Sequence, residues 1–139
     1  LDDLLALKLG YRAKYIKQIC EDVCSGKLDL DRLRKLNYAD SMEVLLSCYG
    51  IGVKVANCIC LFGLHHIGAF PVDTWIKKIL LREYAPKSRC TSHIPESRIC
   101  EALIEENFSK YPGFAGVLQQ YIFFYEREFS SKAAQTANV

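Results

Sequence analysis

The chain has 139 residues, half of them hydrophobic, with 18 Lys+Arg against 16 Asp+Glu and a net charge of +2. That length supports one domain with a real core and leaves little for a second. The near-neutral balance excludes a polycationic or polyanionic tail protein, and 12% aromatics with 4 Pro exclude a disordered chain. A nucleic-acid enzyme that binds through local contacts fits these values, and so do many neutral enzymes.

Cysteines stand at positions 20, 24, 48, 58, 60, 90 and 100. The count is odd and no pair has C-x-x-C spacing, which argues against a disulfide framework or a zinc ribbon. Most lie in apolar stretches, where a Cys behaves as a small buried hydrophobe, so a reducing interior compartment is expected. No basic-then-apolar leader opens the chain, and the apolar run Val55–Leu64 is about half a membrane span. The expectation is a soluble protein. Met42 is the one Met, so Leu1 is not an initiator residue, and the sequence is expected to be processed or part of a longer chain.

In chain order, the pattern predicts helices throughout. From Tyr11 to Cys24, residues 15, 16, 19, 20 and 23 form one apolar stripe, and Gly26 stops it. A short helix follows around Asp31–Leu36, then another from Tyr38 to Cys48 carrying Val44, Leu45 and Cys48. A break at Tyr49–Val53 precedes a helix from Lys54 to Leu64 that is apolar nearly all round and therefore expected to be central. Asp73 is placed to cap a helix running to about Tyr84, and Pro95 to start one holding Ile99, Leu103 and Ile104. The last helix spans about Gly113 to Phe129. There Phe114, Val117, Leu118, Tyr121, Ile122 and Tyr125 make a stripe, with Gln119 and Phe123 nearly opposite. Residues 130–139 lack large apolar side chains and read as a flexible tail. No useful strand alternation is present, so the fold class is all-α.

Gly50 and Gly52 allow a sharp turn and leave backbone N–H groups uncovered at a positive helix end. Such donors suit a phosphate oxygen, although a plain αα-hairpin uses glycines only to relieve strain. Lys54, in the first turn after them, is either solvated, phosphate-bound or a nucleophile. An amine held beside an apolar helix face and a positive dipole end is biased toward the neutral form that nucleophilic attack needs. Asp73 reads first as an N-cap, whose second oxygen remains available to a cleft. Gln119 and Phe123 read as a second packing face or as a ligand-facing pair. His65, His66 and His93 show no metal-ligand pattern, and the adjacent pair is expected to cap carbonyls or face solvent.

The segments GIGVKVANCICLFGL (Gly50–Leu64) and AFPVDTWIKKIL (Ala69–Leu80) resemble the catalytic core of the helix-hairpin-helix DNA glycosylase superfamily. LGYRAKYI (Leu9–Ile16) and AGVLQQYIFFY (Ala115–Tyr125) resemble its 8-oxoguanine DNA glycosylases. The resemblance covers roughly Leu7 to Arg127 and implies a bifunctional glycosylase/AP lyase, acting on double-stranded DNA with 8-oxoguanine opposite cytosine. It implies a monomer in the cytoplasm or nucleoid of a bacterium, or in a eukaryotic nucleus.

Residue by residue, the resemblance makes Lys54 the nucleophile at C1′ and Asp73 its helper and the stabiliser of positive charge on the sugar. Gly50, Gly52 and Val53 would hold a phosphate through backbone N–H groups. Tyr11 would wedge into the duplex and Arg12 would contact the orphaned cytosine, because a base inside a duplex is unreachable until it is flipped out. Phe123 would stack on the flipped purine, Gln119 would read its pairing edge, and Cys58 would cover its other face or serve in the core. Residues 1–129 would form the catalytic region, without the family's N-terminal β-rich domain. Cys48-Tyr49 stands in place of a common Leu-Pro, and Trp75 in place of a common His. The four-cysteine cluster of the endonuclease III relatives is missing, so no iron–sulfur cofactor and no metal are expected. Two further readings stay open: a relative acting on other damaged bases or abasic sites, and a non-catalytic helix-hairpin-helix DNA-binding fragment.

Overall fold

The computed structural model describes residues 1–89 and 94–130, and within them every regular element is helical. Cys90, His93 and the tail from residue 131 onward lie outside the described residues. The chain divides into two compact units, Leu1–His66 and Ile67–Val139.

The first unit contains α1 (Asp2–Ala6), α2 (Arg12–Cys24), α3 (Leu30–Leu33), α4 (Tyr38–Ser47) and α5 (Val53–Phe62). Side chains begin two of these helices: Asp29 accepts from the Arg32 N–H, and Asn37 from the Asp40 N–H. Gly26 ends α2 in the left-handed region at φ +76°, as its position predicts. Between α2 and α3 the turn is organised by Asp22, which is buried. Its carboxylate accepts from Gln18 at 3.1 Å and pairs with Lys27 at 3.1 Å. Those bonds hold the Asp22 carboxyl below the usual carboxylate range.

Helices α4 and α5 pack together across the hairpin, with Leu45, Ala56, Cys60 and Leu61 buried. Two expectations change here. Helix α5 is not enclosed all round, because Val53, Val55 and Phe62 stand exposed while Ala56, Asn57, Cys60 and Leu61 turn inward. The cysteines are not generally buried either. Cys60 is, whereas Cys20 and Cys24 are exposed and Cys48, Cys58 and Cys100 are half-buried.

The second unit contains α6 (Thr74–Ile79), α7 (Glu96–Phe108) and α8 (Ala115–Tyr125). Wider π-helical turns over Leu80–Tyr84 and Glu126–Ser130 extend α6 and α8. The core is built from Phe70, Ile76, Ile79, Leu80, Leu103 and Phe108, with Leu118, Ile122 and Phe123 packed against it. Phe108 meets Phe70 at 5.0 Å and Tyr84 at 5.4 Å between ring centroids. Arg82 grips Glu126 through two bonds of 2.9 and 2.7 Å, tying the two π-helical turns together.

The inward face of α8 overturns the aromatic stripe. Phe114, Tyr121 and Tyr125 are exposed, whereas Gly116, Gln119 and Glu126 are buried. Gln119 and Phe123 therefore lie on the inward side rather than opposite it. Leu118 and Ile122 of the predicted stripe do pack against the core, but its aromatic members turn outward, and the most buried positions carry a small residue and two satisfied polar ones.

Candidate active site

The hairpin between α4 and α5 is set by backbone conformation. Gly50 adopts φ +85°, which an L side chain rarely takes, and a Cβ there would overlap the Tyr15 ring. Ile51 is buried and anchors the loop, while Gly50 and Gly52 face solvent. Gly52 is the N-cap of α5 and supplies no side-chain acceptor. The first-turn N–H groups of Val53, Lys54 and Val55 are thus left uncapped at the positive end of the helix. Lys54 projects from that first turn and is exposed.

The peptide leading into Lys54 is held from behind. Asn57, only 7% exposed, donates from Nδ2 to the Val53 carbonyl at 3.0 Å. Its Oδ1 accepts from the Tyr38 hydroxyl of α4 at 2.9 Å. Burial pushes the Tyr38 hydroxyl up in pKa, so it stays a protonated donor. Cys58 follows one turn after Lys54 and is half-buried, while burial raises the thiol of Cys60 on the inward face. His66 does not face solvent as expected: its Nε2 lies 3.2 Å from the Oγ of fully buried Ser41, and its ring meets Tyr38 edge-on. His65 is exposed, with φ +59°.

At the start of α2, Tyr11 is the N-cap residue and Arg12 the first helical one. Tyr11 is 64% exposed, and the Arg12 guanidinium lies 4.8 Å from its ring centroid. Tyr11, Arg12, Gly50, Gly52, Val53, Lys54 and Cys58 all belong to the first unit.

Asp73, Gln119 and Phe123 belong to the second. Asp73 is the N-cap of α6, accepting from the Ile76 N–H at 2.8 Å through Oδ1. That bond commits one oxygen to structure and leaves the other free of the cap. Gln119 is 3% exposed, and its side-chain oxygen accepts from the Gln120 amide. Phe123 is half-buried against the second unit's core. Trp75 is exposed, with the Lys78 ammonium 5.9 Å from its ring centroid. Among the described residues, no group of three His, Cys, Asp or Glu side chains is arranged to hold a metal ion.

No protein-family model matches the chain. Individual relatives do. A probable N-glycosylase/DNA lyase of Methanothermobacter thermautotrophicus is 33% identical over 128 residues, covering 91% of this chain and 37% of that protein. The N-glycosylase/DNA lyase of Saccharomyces cerevisiae is 35% identical over 105 residues, covering 68% and 28%. The 8-oxoguanine glycosylase/lyase of Clostridium acetobutylicum, solved with double-stranded DNA containing cytosine opposite 8-oxoguanine, superposes with a TM-score of 0.69. It is 34% identical, over 86% of this chain and 38% of that one.

The chain belongs to the helix-hairpin-helix DNA glycosylase superfamily. It spans about a third of the length of the curated relatives it matches. The all-helical architecture of the described residues agrees with its place among these glycosylases. Spacing singled out the hairpin, Lys54 and Asp73, but not Tyr15, Tyr38 or Asn57, which hold the hairpin in shape. One signal was present for Tyr15: it lies four residues after Tyr11 on the same helix face, opposite a turn that only glycine can make.

Proposed function

We propose that this chain carries the base-excision chemistry of an 8-oxoguanine DNA glycosylase with AP lyase activity, acting on double-stranded DNA. The observation that carries the reading is an exposed lysine in an uncapped first helical turn, directly after a hairpin with a left-handed glycine. The family's relatives are named N-glycosylase/DNA lyases, which supports the same chemistry. DNA repair requires access to DNA, so the nucleoid or the nucleus is the proposed site of action.

In this reading, the hairpin N–H groups of Gly52 and Val53 grip a phosphate. Tyr11 fills the space left by the flipped nucleotide and Arg12 meets the unpaired cytosine. Phe123 and Cys58 face the flipped purine while Gln119 reads its pairing edge. The neutral Lys54 amine attacks C1′ as the bond from C1′ to the base breaks, and the base departs with the electron pair and takes up a proton. Asp73 stabilises positive charge on the sugar as it develops. Opening of the sugar ring gives a Schiff base between Lys54 and C1′. Loss of a C2′ proton then expels the 3′ phosphate by β-elimination, and water releases the lysine.

The test is a set of single-turnover assays on duplexes holding 8-oxoguanine:cytosine, 8-oxoguanine:adenine or an abasic site. Excision and nicking of 8-oxoguanine:cytosine support the full reading. Nicking of the abasic duplex alone would reduce it to a lyase, and binding with no cleavage on any duplex would leave a DNA-binding module.

A further inference from the structure

The first unit carries an aromatic series that neither the phosphate grip nor Lys54 uses. Tyr11 and Tyr15 meet edge-on with centroids 6.0 Å apart and planes at 75°. Tyr15 and Tyr49 do the same at 5.2 Å and 72°. Tyr15, in the middle, is half-buried and closes over Gly50, whereas Tyr11 and Tyr49 are 64% and 55% exposed. Two cations flank the rings: Arg12 at 4.8 Å from the Tyr11 centroid and Lys14 at 5.2 Å from that of Tyr15. The series therefore runs from the N-cap of α2 to the residue that enters the hairpin.

Two exposed rings joined through a half-buried one, edged by cations and continuous with uncapped backbone donors, match one partner chemistry. A sugar–phosphate backbone offers apolar deoxyribose faces for the rings and anionic oxygens for the cations and hydroxyls. An apolar protein surface would strand Arg12 and Lys14 without counter-charge.

We propose that Tyr49 is a duplex-DNA contact in its own right. Its ring packs on a deoxyribose and its hydroxyl donates to the phosphate beside the one held by the hairpin, with Tyr15 fastening it to Tyr11. The contact rests on the DNA-binding part of the reading above and is independent of the Lys54 chemistry. A proline at this position, as the resembling glycosylases often carry, has neither ring plane nor hydroxyl to offer.

The experiment is equilibrium binding of the full chain to a duplex with a stable abasic analogue opposite cytosine. Wild type, Tyr49→Phe and Tyr49→Pro are compared, with melting temperature and salt dependence measured for each. Tyr49→Pro should bind about tenfold more weakly and Tyr49→Phe about threefold, as expected for lost hydrogen bonding and packing. Melting temperatures should hold, and the slope of log K against log salt should not change, because no cation is lost. Affinities within about twofold of wild type in both variants would overturn the contact. So would a weaker Tyr49→Pro with a lowered melting temperature beside a Tyr49→Phe equal to wild type, which makes Tyr49 a strut of the hairpin. Tyr49-dependent binding to the analogue, with no borohydride-trapped adduct on a parallel duplex that holds a natural abasic site, would sink the Lys54 reading and leave this contact standing. Normal adduct formation with equal affinities in all three proteins would do the reverse.

Discussion

The Tyr38 hydroxyl donates to Asn57 Oδ1 at 2.9 Å, joining α4 to α5 behind the glycine hairpin. The same amide donates to the Val53 carbonyl. A trans peptide points its carbonyl and N–H in opposite directions, so fixing the Val53 carbonyl also aims the Lys54 N–H outward from the helix end. Tyr38→Phe leaves a buried amide oxygen without its donor and should destabilise the fold by about 1–2 kcal/mol. Urea unfolding measures this, and a midpoint equal to wild type would mean that the bond is not formed in solution.

Asp73 has one job in the fold and a second, chemical one in the proposed function. As N-cap of α6 it accepts from Ile76, a role Asn fills nearly as well as Asp. Asp73→Asn should therefore melt close to wild type while slowing the sugar chemistry about 100-fold, as for loss of one electrostatic stabiliser. Asp73→Ala should lose the same rate and in addition about 1 kcal/mol of stability. Equal rates for Asp73→Asn and wild type would reduce Asp73 to a cap.

Asp22 supplies a pH signature. Its folded-state pKa is lowered, first by the Gln18 hydrogen bond and then by that from Lys27. The unfolded chain binds the proton more readily, so stability gained from Asp22 is fully present above the ordinary carboxylate value. It is lost as pH falls through the lower folded value. Asp22→Asn should thus flatten the acid limb of a melting-temperature profile taken below pH 5, a region set by ordinary carboxylate titration. An unchanged acid limb would show that the pair contributes nothing to acid stability.

These residues also show what the sequence made legible. Hairpin, capping and helix order were readable because glycine at a left-handed turn and Asp or Asn before a helix act locally. Gly50 and Asp73 need no distant partner to do so. The inward face of α8 was readable only in part, through Leu118 and Ile122. A hydropathy stripe weights Tyr121 and Tyr125, which are exposed, above Gln119 and Glu126, which are buried. Glu126 sits inside because Arg82, 44 residues earlier, grips both its oxygens. Gln119 likewise has its side-chain oxygen bonded to Gln120. Periodicity cannot see partners of that kind. The same limit hid Asn57, a polar residue inside α5 whose partner Tyr38 lies on another helix.

The most direct test of the account is borohydride trapping on an abasic-site duplex, comparing wild type with Lys54→Gln. Lys54 is exposed and no described hydrogen bond or ion pair of the fold depends on it, so the variant should fold and bind DNA as wild type does. Wild type should form a covalent protein–DNA adduct, and Lys54→Gln should form none at equal DNA occupancy. An adduct of equal yield from Lys54→Gln would contradict the account, because another amine would then be the nucleophile.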